Sequence, residues 1–232
     1  MVLSRNGAVA HVELQHAAKK NALSGKMMAE FEVAVSQLER ASDVTVVVLK
    51  GQGDFFCSGA DLSASSLFAP SQLTRTRATR CALTGMVAGE MARRLSCAPL
   101  TRKTREKAAP HEGKEMCAFM QEVTTRFTRL PCVSVGVIVG GAVGGGTELT
   151  TACDHRIFAQ GAKWHAVQPR LGISTIWGGG ARLVRLVGRS RALRLLAGSE
   201  AIDADEALRI GLADAVVPRE DVDKRVAEFV AG

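Results

Sequence analysis

The chain has 232 residues, of which 47% are hydrophobic, and it carries a net charge of +7. This length supports one sizeable core or at most two small domains, and no apolar run is long enough to span a bilayer. The six cysteines lie at least fifteen residues apart, which excludes CxxC spacing, and the five histidines show no metal-ligand spacing. Because the N-terminus shows no export signal, we expect a cytoplasmic protein, with a mitochondrial location as the alternative. The histidine spacing predicts that it holds no metal.

The first sixty residues predict two strands around a helix. The segment "AVAHVEL" (8–14) alternates like a half-buried strand, and "VTVVVLKG" (44–51) is a β-branched run typical of a strand buried on both faces. Between them, Ser24 is a suitable N-cap for a helix over 24–41. One face of this helix carries the apolar residues Met28, Phe31, Val35 and Leu38.

Residues 75–107 are strongly basic. They hold nine arginines and lysines against two acidic residues, an excess as large as that of the whole chain. The segment predicts either a solvated surface or an electrostatic collector for a polyanion, which would be a phosphate-bearing cofactor or nucleic acid. It contains no Phe, Tyr or Trp to stack on bases, which weighs against nucleic acid.

The second half alternates helices and strands around a run of glycines. A helix over 115–130 is stopped by Pro131, and a buried strand over 132–140 leads into the glycines. Strands interleaved with helices predict an α/β fold. The elements expected after the glycines are a short helix (147–154), two strands (155–160 and 163–167) and a mainly helical tail.

The glycine run places five glycines in eight positions (139–146), directly before "TEL". Such a run requires either positive φ angles or the close approach of a ligand. It lacks the lysine of a Walker loop and the spacing of a dinucleotide fingerprint. A helix that begins at the glycines presents unpaired N–H groups, which form half of an oxyanion hole. We expect the other half in the turn "GDFFCSGADL" (53–62).

Five segments in this order and spacing form a specific pattern: "KKNALSGKM", "GQGDFFCSGADL", "PCVSVGVIVGGAVGGGTELTTACDHRI", "LGISTIWGGGARLVRLVG" and "IDADEALRIGLADAVVP". Through these segments the chain resembles the crotonase (enoyl-CoA hydratase/isomerase) superfamily along nearly its whole length. The resemblance implies a spiral of ββα units over 1–190, a C-terminal helical region over 191–232, and assembly as a homotrimer or hexamer. The sequence ends at "VAEFVAG", where members of the family continue into further helices.

The same resemblance assigns site residues. The two N–H groups that hold a thioester oxygen map onto Ser58 and Gly145, and the first acid/base glutamate maps onto Glu148. No cofactor is held permanently, because the coenzyme A thioester is the substrate. The residues that line the path of the coenzyme are Lys20, Ala22, Ala60, Asp61 and Leu62.

The second acid/base position of the family is a departure, because it holds Gln168. Glutamine cannot exchange a proton near neutral pH, so the paired chemistry of a hydratase is impaired. The segments "GGGTELTTACDHRI" and "IWGG" are similar to family members that decarboxylate malonyl-type thioesters. We therefore expect decarboxylation of ethylmalonyl-CoA or methylmalonyl-CoA, in fatty acid metabolism, with Gln168 hydrogen-bonded to the departing carboxylate. The alternatives are an enoyl-CoA isomerase or hydratase that uses Glu148 alone, and an RNA-binding relative.

Several of these residues also have a structural interpretation. Glu148 could be a helix acid paired with Arg156 or Arg182, and Gln168 could be a surface loop residue. Trp177 is expected to be pocket wall or core.

Overall fold

The computed structural model describes residues 1–61 and 110–231. The strands in these ranges are β1 (Val2–Asn6), β2 (Val9–Leu14), β3 (Val46–Gly51), β4 (Val133–Ile138), β5 (Gly141–Val143), β6 (His155–Ala159), β7 (Lys163–His165), β8 (Ala201–Asp203) and β9 (Ala215–Val217). The α-helices are α1 (Gly25–Leu38), α2 (Pro110–Phe127), α3 (Gly145–Thr150), α4 (Gly179–Val187), α5 (Arg189–Ala197), α6 (Ala204–Arg209) and α7 (Val222–Ala231). Short 3-10 turns lie at Ala17–Lys19, Gln168–Leu171 and Arg219–Asp221.

The strands form two sheets, which confirms the α/β prediction. The larger sheet has the order β1-β2-β3-β4-β6-β9, and every pair in it is parallel except β1 with β2. The smaller sheet has the order β5-β7-β8. Residues 46–49 of β3 are buried, as the β-branched run predicts for a central parallel strand covered on both faces.

Helices cover both faces of the larger sheet. The main core packs α1 and α2 against one face, with Phe31 and Phe127 in contact at a ring-centroid distance of 5.5 Å. A second apolar cluster on the other face includes Val222 and Val226 of α7. None of the described helices is long and apolar enough to cross a membrane.

The sequence predicts most elements correctly. The Ser24 side chain caps α1 by accepting a hydrogen bond from the Met27 N–H at 3.3 Å. The helix after the glycines begins at Gly145 rather than at Thr147. The prediction of a mainly helical tail misses β8 and β9, which carry the C-terminal region into both sheets. These strands have three residues each, too few to show a period of two, and their pairing partners lie far away in the sequence.

The glycine run brings the two sheets together. It continues from β4 through β5 into α3, while the chain that leaves β3 turns back beside β5. The Val143 N–H donates to the Cys57 carbonyl at 2.9 Å, and the Cys57 N–H donates to the Gly141 carbonyl at 3.2 Å. A further bridge joins Leu23 to Ala60. These contacts place the turn at residues 57–60 against the start of α3.

Candidate active site

One side of the site consists of backbone. Gly59 has a φ of +94°, and a Cβ atom at this position would lie 2.9 Å from the Gly145 nitrogen. Glycine is therefore required both by the left-handed conformation and by the close approach of the two segments. A Cβ atom on Gly146 would lie 2.2 Å from the Cys57 carbonyl oxygen. The glycines thus let the turn and the N-terminus of α3 pack with their main chains in contact.

The backbone donors correct one assignment. The Ser58 N–H already donates to the Lys20 carbonyl at 2.9 Å, so it is not available to a ligand. The prediction that Ser58 supplies a thioester donor is therefore wrong in this structure. Within residues 1–61 and 110–231, the N–H groups of Ala60 and Gly145 have no hydrogen-bond acceptor. Gly145 is the first residue of α3, where a helix leaves its N–H groups unpaired.

A cavity opens in front of these donors. Its other walls are mostly apolar, and its described lining contains no lysine or arginine. Burial raises the pKa of the Cys57 thiol behind the turn to about 12, so this cysteine is not poised as a nucleophile. The cavity is lined by Ser58, Gly59, Ala60, Met116, Gly144, Gly145, Glu148, Val167, Gln168, Leu171, Ile173, Ile176 and Trp177.

Glu148 lies in this lining and is only 2% exposed. Its Oε2 accepts from the Trp177 N–H at 2.7 Å and from the Gly179 N–H at 3.0 Å. Its Oε1 accepts from the Ile176 N–H at 3.1 Å and from Gln168. Burial raises the pKa of Glu148 above that of an ordinary glutamate, and the hydrogen bonds oppose this rise.

Glu148 has a structural role, but this role is to cap a helix and not to pair with an arginine. Gly178, the N-cap of α4, has no side chain, and Glu148 supplies the missing cap by binding the first N–H of that helix. The arginines expected to pair with the Glu148 carboxylate bind elsewhere. Arg156 donates to the carbonyls of Cys153 and Leu212, and Arg182 donates to the Glu148 carbonyl rather than to its carboxylate.

Gln168 is buried, with 4% of its surface exposed, so its interpretation as a surface loop residue is wrong. It begins the turn Gln168–Leu171 that follows β7. Its Nε2 donates to Glu148 Oε1 at 3.2 Å, while its Oε1 is buried and has no partner among the described residues. The two positions that the resemblance assigns to the acid/base pair therefore meet here as one carboxyl and one amide.

Trp177 belongs to both the core and the pocket wall. Its side chain is buried and packs so closely on Gly145 that a Cβ there would lie 2.3 Å from the indole Cζ3. The indole nitrogen is buried and has no partner among the described residues. Sequence reasoning missed the apolar wall formed by Met116, Ile173 and Ile176, because nothing in their spacing separates pocket-lining residues from core residues.

The residues predicted to line the coenzyme path lie together in part. The bridge between Leu23 and Ala60 sets Ala22 beside the turn, and the Lys19 ammonium pairs with the Asp61 carboxylate at 2.9 Å. The Lys20 Nζ lies 5.3 Å from the centroid of the Phe55 ring. Leu62 and the basic segment 75–107 lie outside the described residues. The described residues also contain no cluster of three metal-binding side chains.

Fold and site together define the class. The chain belongs to the enoyl-CoA hydratase/isomerase family, whose model matches residues 4–84 and 93–231. A solved enoyl-CoA hydratase from Bacillus anthracis covers 99% of this chain, and this chain covers 74% of it, with a TM-score of 0.76 and 27% identity. A putative enoyl-CoA hydratase from Thermobifida fusca, solved with acetoacetyl-CoA, has a TM-score of 0.73 and 28% identity, with coverages of 99% and 78%.

More specific similarity is to ethylmalonyl-CoA decarboxylases. The chain is 36% identical over 200 residues to the protein of Danio rerio, which covers 86% of this chain and 53% of that one. It is 33% identical over 217 residues to the protein of Rattus norvegicus, with coverages of 94% and 60%. The chain thus spans between 53% and 60% of the length of these two curated relatives.

Proposed function

We propose that the protein decarboxylates a malonyl-type acyl-CoA, such as ethylmalonyl-CoA or methylmalonyl-CoA. The observation that carries the proposal is the buried contact between Glu148 and Gln168, at the place where a hydratase of the family needs two carboxyl groups. The similarity to ethylmalonyl-CoA decarboxylases supports the same reaction. The assembly as a trimer or hexamer and the absence of a permanent cofactor remain predictions from the resemblance.

The thioester oxygen is bound by the N–H groups of Ala60 and Gly145. In the reaction the bond between the α-carbon and the carboxylate breaks, CO₂ leaves, and the electron pair forms an enolate. The negative charge moves to the thioester oxygen, where two preorganised donors in a largely apolar pocket stabilise it. Both donors are backbone groups without an acceptor among the described residues, so they need not rearrange to bind the oxygen.

The described lining interacts differently with the substrate carboxylate, where the charge begins, and with the thioester oxygen, where it ends. It offers no lysine or arginine to the substrate carboxylate, but it offers two N–H groups to the enolate oxygen. Interactions that are stronger in the transition state than in the ground state are the ones that accelerate a reaction. The pocket therefore favours transfer of the charge from the carboxylate to the thioester oxygen.

Glu148 and Gln168 then have separate roles. A proton must be added to the α-carbon, and Glu148, with its pKa raised by burial, is the carboxyl group of the described lining suited to donate it, directly or through a water. Gln168 keeps the neighbouring position neutral, because a second carboxylate there would repel the substrate carboxylate. The second N–H of the Gln168 amide remains able to donate to that carboxylate.

The second candidate is an enoyl-CoA isomerase or hydratase. It is favoured by the solved enoyl-CoA hydratases of the same fold and by the presence of Glu148, since shifting a double bond requires a single base. In this reading Glu148 moves a proton between two carbons of the acyl chain. Gln168 makes efficient hydration the less favoured of the two reactions, because it cannot activate a water.

A panel of thioesters tests the proposal. The protein is incubated with malonyl-, methylmalonyl-, ethylmalonyl- and crotonyl-CoA, and CO₂ release and hydration are measured in parallel. We expect CO₂ release from ethylmalonyl-CoA or methylmalonyl-CoA and little hydration of crotonyl-CoA. Efficient hydration of crotonyl-CoA with intact malonyl thioesters would overturn the decarboxylase and leave the alternative.

A further inference from the structure

The guanidinium group of Arg182 joins three parts of the chain behind the pocket. Arg182 lies in the first turn of α4, and its Nη2 donates to the Trp177 carbonyl at 2.9 Å and to the Glu148 carbonyl at 3.2 Å. Its Nε donates to Thr151 Oγ1 at 3.2 Å, and its Nη1 lies 3.5 Å from Thr124 Oγ1. One side chain thus connects α2, the end of α3 and the loop before α4.

Thr124 completes the same network. Its side chain is fully buried, and its hydroxyl lies 2.8 Å from both the Trp177 carbonyl and the Met120 carbonyl. The main chain of Trp177 is therefore held both at its N–H and at its carbonyl. Its N–H donates to the Glu148 carboxylate, and its carbonyl accepts from Arg182 and Thr124.

The position of Arg182 near the N-terminus of α4 is electrostatically unfavourable for a cation. Cations are disfavoured in the first turn of a helix, where the dipole is positive. Burial also lowers the pKa of Arg182, while the charge of Glu148 raises it. Arg182 is half-buried, and it donates to the carbonyls of Glu148 and Trp177 from an unfavourable place in α4. We infer that the positions of these two residues matter for the pocket.

The held geometry is that of the pocket wall. The Trp177 ring lies against Gly145, which carries one of the two donor N–H groups, and the Trp177 N–H orients the Glu148 carboxylate. Arg182 itself is not part of the described lining of the cavity. Its influence on a bound thioester therefore passes through Trp177 and Glu148.

We propose that Arg182 is a positioning residue of the active site, which together with Thr124 fixes Trp177 against Gly145 and sets the orientation of Glu148. The proposal rests on the proposed function of the pocket, but it applies equally to any reaction in which Gly145 binds the thioester oxygen. Lysine cannot replace Arg182, because a single ammonium cannot reproduce the planar fork that bridges these acceptors.

The test compares Arg182→Lys with Arg185→Lys, an exposed arginine of the same helix. We expect Arg182→Lys to lower kcat about tenfold or more with KM nearly unchanged, because alignment is lost while the binding contacts stay. Arg185→Lys should behave as the wild type. A second pair uses Thr124→Val, which removes the hydroxyl and should lower kcat in the same direction, and Thr124→Ser, which keeps the hydroxyl and should restore it.

Fluorescence separates this proposal from the proposed function. Trp164 and Trp177 are the two tryptophans of the chain, so difference spectra against Trp177→Phe isolate the emission of Trp177 without any substrate. We expect Arg182→Lys and Thr124→Val to shift this emission and Arg185→Lys to leave it unchanged. Unchanged emission and kcat in a folded Arg182→Lys or Thr124→Val protein would overturn the positioning role. A wild type that decarboxylates nothing, with the shift present, would overturn the reaction alone.

Discussion

One side of the pocket is formed by backbone groups and the other by side chains. On the backbone side, the turn 57–60 meets the start of α3 with main chain against main chain, because Gly59 and Gly146 place no side chain between the two segments. On the side-chain side, Glu148, Gln168 and Trp177 project from three elements and meet through hydrogen bonds and packing. In the proposed function, binding of the thioester oxygen therefore depends on backbone geometry, whereas the choice of reaction depends on a few exchangeable side chains.

The largest effect is expected where the two sides touch. Gly145→Ala places a methyl group 2.3 Å from the rigid Trp177 ring, so the donor N–H must move. We expect turnover to fall by about 10²–10³, the usual loss for one oxyanion donor. The control is Gly161→Ala, at a φ of +76° in open space, which should lower stability and leave turnover unchanged. Similar turnover in both variants would show that the Gly145 N–H does not contribute to catalysis.

The next largest effect tests the side-chain side. Glu148→Gln should lower turnover by about 10² or more if Glu148 moves the proton. It should also destabilise the fold by about 1–3 kcal/mol, because the new amide group faces backbone N–H donors that lose an acceptor. Turnover and the free energy of unfolding are measured together. Loss of stability with normal turnover would leave Glu148 as the cap of α4 only.

Changing Gln168 is expected to alter the reaction rather than the binding of the thioester oxygen. Gln168→Glu sets two carboxyl groups about as close as the present 3.2 Å contact, so they cannot both ionise easily. We expect KM for the malonyl-type thioester to rise about tenfold through charge repulsion, with trace hydration of crotonyl-CoA gained. An unchanged KM would show that position 168 does not face the substrate carboxylate.

The pH dependence follows from Glu148. Since burial raises the pKa of Glu148 above its value in the unfolded chain, the stability contributed by the protonated form is present at low pH and is lost as pH rises through the folded pKa. A proton donated by Glu148 predicts that kcat also falls on this alkaline side. The kcat–pH profile of the wild type should show the limb, and that of Glu148→Gln should lack it. The same limb in both proteins would assign the proton to another group.

The smallest effect is expected in the basic segment 75–107. Neutralising Arg102, Lys103 and Arg105 removes part of the basic excess of residues 75–107. We expect weaker CoA binding at low salt, with the difference shrinking as salt is added, because dissolved ions screen attraction between charges. Unchanged CoA binding together with a loss of RNA binding would favour the nucleic-acid interpretation of this segment.

The sequence determined much of the fold and half of the site. The β-branched run of β3, the capped helix α1 and the order of strands and helices follow from local patterns that depend on few distant contacts. The glycine run predicted a close backbone approach, and its outcome is the contact between the turn 57–60 and Gly145. The resemblance to the family placed Glu148 and Gln168 in one site, and they meet there.

Which backbone N–H groups remain available to a ligand depends on contacts between distant segments, and these are visible in the tertiary structure alone. The choice of Ala60 over Ser58 depends on the Lys20 carbonyl, which reaches the turn from a segment 38 residues earlier. The capping of α4 by Glu148 and the contacts of Arg182 with α2 and α3 also join residues at least 31 positions apart. Hydrogen bonds across such separations form after the chain has folded, and local sequence patterns record neighbours along the chain rather than neighbours in space. The sequence could therefore predict where the pocket lies, whereas the N–H groups that face it could be identified only in the folded chain.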